Sequence, residues 1–410
     1  MNVLFLSLLY PKDIMTEVEK NVKDKIQNQI NTVEHALCSG LSGCLNFNEE
    51  LRIVNALPVG VFPKSYRKMV IPSGWHDEQS VYELGCINLP YLKQKMRQKR
   101  AEKAIMEWAA ESKENRTVLL YTVYFPYLEA VLEAKKHFPD LQACVLVTDL
   151  PNQYGLPSGR TGILKKIEYG LGKKTLCAAS RMDAYILMTK HMAEPLKLTG
   201  QPIMILEGII QPDILESEAM DIVKEKPDSD KPVVLYTGTL EHELGIGDLL
   251  LAFKRYEKAE LWICGTGNMQ DEVADVAKHS QNIRYFGRVS HAKAIAMQQQ
   301  ADLLINPRKP DHAYTKYSFP SKTLEYMLSG TPILCYRLEG IPSEYDEYLH
   351  YMEAAEGIQG MINGIDSMLF VKTKEERETL GRKQREFVVT NKNAQVQCKR
   401  ISDFLRFMHC

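Results

Sequence analysis

Residues 305–330 read INPRKPDHAYTKYSFPSKTLEYMLSG and gather side chains suited to holding an anion. An apolar run ends at Asn306-Pro307-Arg308 and a polar loop follows. Pro320 then marks the first turn of a helix, which Gly330 is suited to end as a C′ residue. Lys322 falls in that first turn, where the helix dipole disfavours a cation. The reversed preference makes sense if an anion sits at the helix N-terminus. Backbone N–H groups, the Ser321 hydroxyl and the Lys322 ammonium together suit a diphosphate. Glu325 lies at i+3 on the same face, where its carboxylate can accept hydrogen bonds from two vicinal ribose hydroxyls. The same spacing also makes an ordinary surface ion pair worth about 0.2–0.5 kcal/mol.

Two other segments could line a ligand site, because open parallel sheets bind ligands at the carboxyl ends of their strands. In VTDLP, Asp149 can orient an attacking hydroxyl or cap the next helix. In YTVYFPY, Tyr121, Tyr124 and Tyr127 could stack on a sugar ring, but they alternate as core aromatics do.

The elements that would position these residues alternate along the chain. Apolar runs suited to buried parallel strands occupy 3–9, 117–121, 143–148, 184–188 and 204–206, and a second series follows at 233–236, 260–264, 283–286, 301–305 and 332–335. Amphipathic stretches such as 129–137, 246–256 and 269–278 lie between them, giving βαβ units. The charged, proline-bearing segment 216–231 reads as a linker. The expectation is an α/β protein of two Rossmann-like domains facing across a cleft. An N-terminal acceptor domain would span 1–205, a linker 206–231 and a C-terminal donor domain 232–385. A helical segment, 386–410, could return to the first domain.

A chain of 410 residues is too long for one core. Nine cysteines are scattered without zinc spacing, which predicts free thiols in a reducing compartment and no metal. No apolar run reaches the length of a membrane span, and the first ten residues lack the basic start and cleavage site of a leader, so a cytoplasmic protein is expected. The net charge of −1 conceals basic stretches: residues 51–100 hold nine bases against three acids. Residues 162–174, GILKKIEYGLGKK, suit a helix on an anionic membrane surface as well as a plain solvated helix, with Arg97, Lys99, Arg100 and Lys103 adding charge.

Residues 319–334, FPSKTLEYMLSGTPIL, resemble the donor-site signature of retaining GT-B glycosyltransferases of the GT4 family, most similarly the branch in bacterial capsular and exopolysaccharide clusters. YTGTL at 236–240, CGTG at 264–267, FGRV at 286–289 and ADLLINPR at 301–308 follow the family's order. The resemblance implies that Glu325 takes the donor ribose and that Lys322 and Ser321 take the diphosphate. Gly238 and Thr239 would offer N–H groups, and Thr239 its hydroxyl, near the distal phosphate. Gly287, Arg288 and Val289 would flank the nucleobase through backbone contacts. Departures are Tyr317 where the family often has Glu, and Thr239 and Leu244 where many members carry Arg and Lys. Arg308, with Lys322 and Lys316, would replace that lost charge.

The reaction so implied is transfer of a sugar from a nucleoside diphosphate sugar, UDP-linked, to a hydroxyl of a glycan or lipid-linked oligosaccharide, with retention and without a bound metal or cofactor. Membrane contact would be peripheral, and no nucleic acid is expected as partner. Two alternatives stand beside it: a GT-B nucleotide-sugar epimerase, for which no acid/base pair is evident, and a silent sugar-nucleotide-binding subunit.

Overall fold

The computed structural model describes residues 1–23, 28–46, 49–112, 114–151, 162–211 and 230–409. Most of the expected linker, and the loop 152–161, lie outside the described residues. The chain divides into two compact units, Met1–Ile209 with Ala394–Cys410, and Ile210–Asn393.

The first unit is built on strands β1 (Asn2–Ser7), β2 (Glu50–Asn55), β3 (Val70–Ile71), β4 (Gly74–His76), β5 (Val81–Glu83), β6 (Cys86–Ile87), β7 (Arg116–Tyr121), β8 (Gln142–Val147), β9 (Ala184–Leu187) and β10 (Ile203–Ile205). Eight form one sheet in the order β10-β9-β8-β7-β1-β2-β5-β4, parallel except for the β4–β5 pair, while β3 and β6 form a separate two-stranded ribbon. Its helices are α1 (Met15–Asn21), α2 (Asn28–Gly43), α3 (Leu92–Glu111), α4 (Phe125–His137) and α5 (Gly162–Ala179). β1 and β7 are buried along nearly their whole length, as expected of strands covered on both faces.

β1 was expected to continue to residue 9 but ends at Ser7 for a specific reason. The Leu8 N–H donates to Glu34 Oε1 at 2.7 Å and the Leu9 N–H to Asn55 Oδ1 at 2.9 Å, so side chains take over the ladder. Asn55 in turn donates to Glu83 Oε2 at 2.7 Å, and Glu83 accepts from the Leu57 and Gly85 N–H groups. Arg97 completes this buried polar network, donating to the Leu57 carbonyl at 2.5 Å and the Tyr124 hydroxyl at 3.2 Å. Arg97 is 3% exposed, so it is a core residue and not the surface charge expected from the sequence.

The second unit contains β11 (Val233–Thr237), β12 (Glu260–Cys264), β13 (Ile283–Tyr285), β14 (Leu303–Asn306), β15 (Ile333–Tyr336) and β16 (His350–Met352), all parallel in the order β13-β12-β11-β14-β15-β16. Its helices are α6 (Ile246–Phe253), α7 (Gln270–Lys278), α8 (His291–Gln300), α9 (Lys322–Ser329), α10 (Gly357–Asp366) and α11 (Lys374–Asn391). α11 begins at a capping box between Thr373 and Glu376 and runs unbroken through residue 385, where a domain boundary had been expected. The division instead falls between Asn393 and Ala394. The last helix, α12 (Ala394–Phe407), packs on α2 in the first unit, with Cys398, Ile401 and Leu405 fully buried. The described cysteines are free, and no described helix is long and apolar enough to cross a membrane.

Candidate functional site

In the second unit the strand order reverses between β11 and β14, since β12 and β13 extend to one side and β15 and β16 to the other. Ligands of open parallel sheets bind outside the carboxyl ends of the strands at such a switch point. The residues there are Thr237 at the end of β11, Asn306 at the end of β14, and the helices α8 and α9.

α9 starts at Lys322 after Ser321, which is exposed, helical in conformation and without a side-chain cap bond. The helix ends at Gly330 in the left-handed region (φ 81°), as its sequence predicts. Its buried side carries Leu324, Met327 and Leu328, while Glu325 faces a polar cluster. Lys322 Nζ lies 2.9 Å from both Glu325 oxygens, and Gln298 Nε2 of α8 donates to Glu325 Oε1 at 2.6 Å. Gln298 also donates to Thr237 Oγ1 at 3.0 Å, and the Tyr326 hydroxyl accepts from the Thr237 N–H and donates to the Thr237 carbonyl. His291 Nε2, at the start of α8, stands 3.8 Å from Glu325 Oε2. Burial alone would raise the Glu325 carboxyl, but the neighbouring His291, the Lys322 charge and the Gln298 amide outweigh it and hold it down to about 2. The result is a carboxylate held in its ionised form at neutral pH, an acceptor of hydrogen bonds tied through Gln298 to the end of the central strand.

The strand-end turns are laced together by backbone. The Gly238 N–H, expected to face a phosphate, donates to the Cys264 carbonyl at 3.0 Å. It continues the β11–β12 ladder and is therefore not offered to a ligand in this structure. Gly265 (φ 146°) donates to the Gly287 carbonyl at 2.8 Å, and a Cβ on it would lie 1.7 Å from the Gly238 oxygen. Gly265→Ala is accordingly expected to lower stability by about 1–3 kcal/mol or more, measured by urea unfolding, because neither backbone segment can move aside without breaking these bonds. Thr239 is exposed, and its carbonyl accepts from Tyr236 at 2.7 Å. Gly287 (φ 65°) has open space where a side chain would project, Arg288 is exposed and Val289 half-buried. Ser290 then caps α8 through the Lys293 N–H.

Arg308 follows β14. Its Nη2 donates to Ser318 Oγ at 2.7 Å and its guanidinium lies over the Tyr314 ring at 4.8 Å, so in this structure it braces its own loop. Lys316 lies over Tyr317 in the same loop, at 4.8 Å. The site thus brings together Lys322 and Glu325, whereas Arg308 and Lys316 each lie against a tyrosine ring of their own loop. Gln298, His291, Thr237 and Tyr326 were not singled out from sequence. His291 and Gln298 stand seven residues apart, two helical turns, which is the one signal that places both on the same face.

In the first unit the corresponding switch point lies between β1 and β7. Thr122, directly after β7, has φ 61°, uncommon for a β-branched residue, and accepts from Thr148 Oγ1 at 2.9 Å. Asp149 is exposed just after β8, and the next described helix starts at Gly162, so Asp149 does not cap it. Tyr121 and Tyr127 are core residues, as their alternation predicts. Sequence reading missed Glu34, which is fully buried beside β1 and whose carboxyl burial pushes up to about 8. Among the described residues, no group of three or more His, Cys, Asp or Glu is arranged to hold a metal ion.

Fold and site define an α/β protein of two Rossmann-like units, the GT-B architecture, with an ionised carboxylate at the switch point of its second unit. Residues 218–387 match the family described as glycosyl transferases group 1. A glycogen synthase of Mycobacterium tuberculosis is 27% identical over 123 residues, covering 28% of this chain and 28% of its own length. Among solved structures, a sucrose-phosphate synthase from Thermosynechococcus elongatus superposes with a TM-score of 0.64 at 14% identity, covering 100% of this chain and 99% of that one. A trehalose-6-phosphate protein from E. coli bound with UDP-2-fluoro glucose superposes with a TM-score of 0.61 at 9% identity, covering 99% of each.

Proposed function

We propose that this chain is a glycosyltransferase that moves a sugar from a nucleoside diphosphate sugar, UDP-linked, to a hydroxyl of a glycan or lipid-linked saccharide, with retention of configuration, in the building of a cell-surface polysaccharide. The observation that carries this reading is the ionised Glu325 carboxylate, bonded to Lys322 and Gln298 at the β11/β14 switch point. The group 1 match over residues 218–387 supports it. The UDP moiety rests on the fold shared with the E. coli structure that holds a UDP-sugar.

On donor binding, the two ribose hydroxyls take the place of Lys322 against Glu325, and the released ammonium turns to the diphosphate with the α9 N-terminus and Ser321. The bond from the anomeric carbon to the diphosphate oxygen breaks while a bond to the acceptor oxygen forms on the same face. The acceptor proton passes to the departing phosphate. The protein's part is orientation and stabilisation of the leaving charge, without a metal. Arg308 adds charge if its loop releases it from Ser318, and Asp149 orients the acceptor hydroxyl. Peripheral contact with the inner face of a membrane would bring a lipid-linked acceptor within reach.

The test is UDP release across a panel of UDP-, GDP- and ADP-sugars. One sugar should turn over slowly in the absence of acceptor, unaffected by EDTA. Glu325→Ala should weaken binding of that donor roughly tenfold to a hundredfold, as expected for hydrogen bonds to a charged group. A chain that binds none of the panel would overturn the reading.

A further inference from the structure

Two basic side chains converge on Glu325, each from the first turn of a helix, where the dipole disfavours positive charge. Lys322 opens α9 and donates to both carboxylate oxygens at 2.9 Å. His291 opens α8 directly after the Ser290 cap, and its Nε2 stands 3.8 Å from Oε2. Both placements run against local preference, and the carboxylate they share offsets that cost. Burial raises the Glu325 carboxyl, and His291 is the largest of the influences that bring it down.

Counting acceptor positions shows what the imidazole can do. An ionised carboxylate offers about four, two on each oxygen. Oε1 accepts from Lys322 and from Gln298 Nε2, while Oε2 accepts from Lys322 and faces His291. Two ribose hydroxyls can replace Lys322, one on each oxygen. Gln298, itself fixed by the Thr237 hydroxyl at 3.0 Å, then keeps Oε1 in place. On Oε2 the partner that remains is His291, whose side chain is 52% exposed and has room to close the gap. With both oxygens held, the carboxylate cannot turn away from the hydroxyl pair.

We propose that His291 is a positioning residue for the donor: once the ribose has displaced Lys322, its Nε2 holds Glu325 Oε2, and nucleotide binds more tightly when the imidazole carries its proton. The proposal rests on the donor reading above and deepens it by a residue for the ribose. Its sign follows from the charges around the imidazole. On α9 these are Glu325 and Lys322; on α8 itself there is Lys293, whose ammonium lies over the Phe286 ring at 6.0 Å, and Arg288 is exposed three residues before His291. β11, also packed on α8, presents Thr237, which does not titrate. When Lys322 leaves Glu325 for the diphosphate, a cation departs and negative phosphates arrive. Both changes favour the imidazolium, so by linkage affinity falls as pH rises through the range in which histidine titrates.

The experiment is calorimetric titration of the full chain with UDP and with uridine at about pH 6 and about pH 8, for wild type, His291→Ala and His291→Gln. Wild type should bind UDP roughly threefold to tenfold more weakly at the higher pH, beyond the change seen in His291→Gln, where the ligand's own titration remains. His291→Ala should weaken UDP and uridine alike, by about tenfold, as for a lost hydrogen bond to a charged group. Its unfolding midpoint should stay near wild type, since the side chain is half-exposed. His291→Gln should recover most of the affinity, because its amide can donate to Oε2. Equal binding by wild type and His291→Ala, or the same pH dependence in wild type and His291→Gln, would overturn the proposal. Weaker UDP with unchanged uridine in His291→Ala would put the imidazole at the phosphates and overturn it as well. A wild-type chain that binds neither UDP nor uridine would instead overturn the donor reading, and this inference with it.

Discussion

Lys322→Met is expected to lower kcat by roughly 10²–10³-fold, the range found when one preorganised donor to a developing anion is removed. In the structure its ammonium donates to both oxygens of Glu325 at 2.9 Å. That bond alone would be a modest contribution to stability, because the lysine side chain is 32% exposed and such i,i+3 pairs are worth about 0.3–0.5 kcal/mol. A purely structural role therefore predicts a variant with nearly wild-type activity. A role at the leaving diphosphate predicts a large fall in kcat with a near-normal unfolding midpoint, and weaker binding of UDP but not of uridine. Steady-state kinetics with the two titrations separates the cases. Removing the cation also removes one of the influences that hold Glu325 low. The depressed carboxyl contributes stability above its unfolded value near 4.5, lost as pH falls through about 2. In the variant that loss should be smaller and complete at a higher pH, because its onset stays at the unfolded value while the folded value rises, which acid titration of the unfolding midpoint would reveal.

Arg97→Leu is expected to destabilise the first unit by about 3–5 kcal/mol, the cost of leaving a buried charge without its partner. Glu83 is 1% exposed and burial raises its carboxyl, with the Arg97 charge the largest opposing influence. Without that charge Glu83 must stay protonated or sit uncompensated in the core, and the Leu57 carbonyl and Tyr124 hydroxyl each lose a donor. The sign of the pH dependence follows. Because the folded value lies above the unfolded one, the group costs stability as pH rises from its unfolded range through its folded value, and the variant raises that folded value further. The deficit should therefore be smallest in mild acid and grow toward neutrality. Urea unfolding at several pH values reads this directly. A deficit under 1 kcal/mol, flat with pH, would mean that Arg97 is only packing.

Much of the architecture could be read from the chain because buried parallel strands announce themselves. Residues 261–264 and 184–188 are unbroken apolar runs, and β12 and β9 lie there within one residue. α3 shows why other elements stayed hidden. Its sequence LKQKMRQKRAEKAIMEWAAE is mostly charged, yet it buries Lys93, Arg97, Ala101, Ile105 and Trp108 at nearly regular spacing. A search for apolar periodicity passes over a buried face that includes cations whose partners, the Val59 and Leu57 carbonyls, lie more than thirty residues away. The end of β1 was misjudged for the same kind of reason, since Leu8 and Leu9 look like strand but their N–H groups belong to Glu34 and Asn55.

At the candidate site the sequence by itself determined the local part: a helix opening at Lys322, closing at Gly330 and placing Glu325 on the face of Lys322. Helical geometry makes that a property of residues three apart. Only the tertiary structure decided what surrounds them. Gln298 and Thr237 come from other elements and hold Glu325 to the central strand, the Gly238 N–H is taken by Cys264, and Arg308 is drawn to Ser318 and Tyr314. The Arg308 contacts are made within its own loop and depend on how that loop closes; the partners of Glu325 and of the Gly238 N–H are chosen by the order of strands in the sheet, a long-range property which no single stretch of the chain encodes.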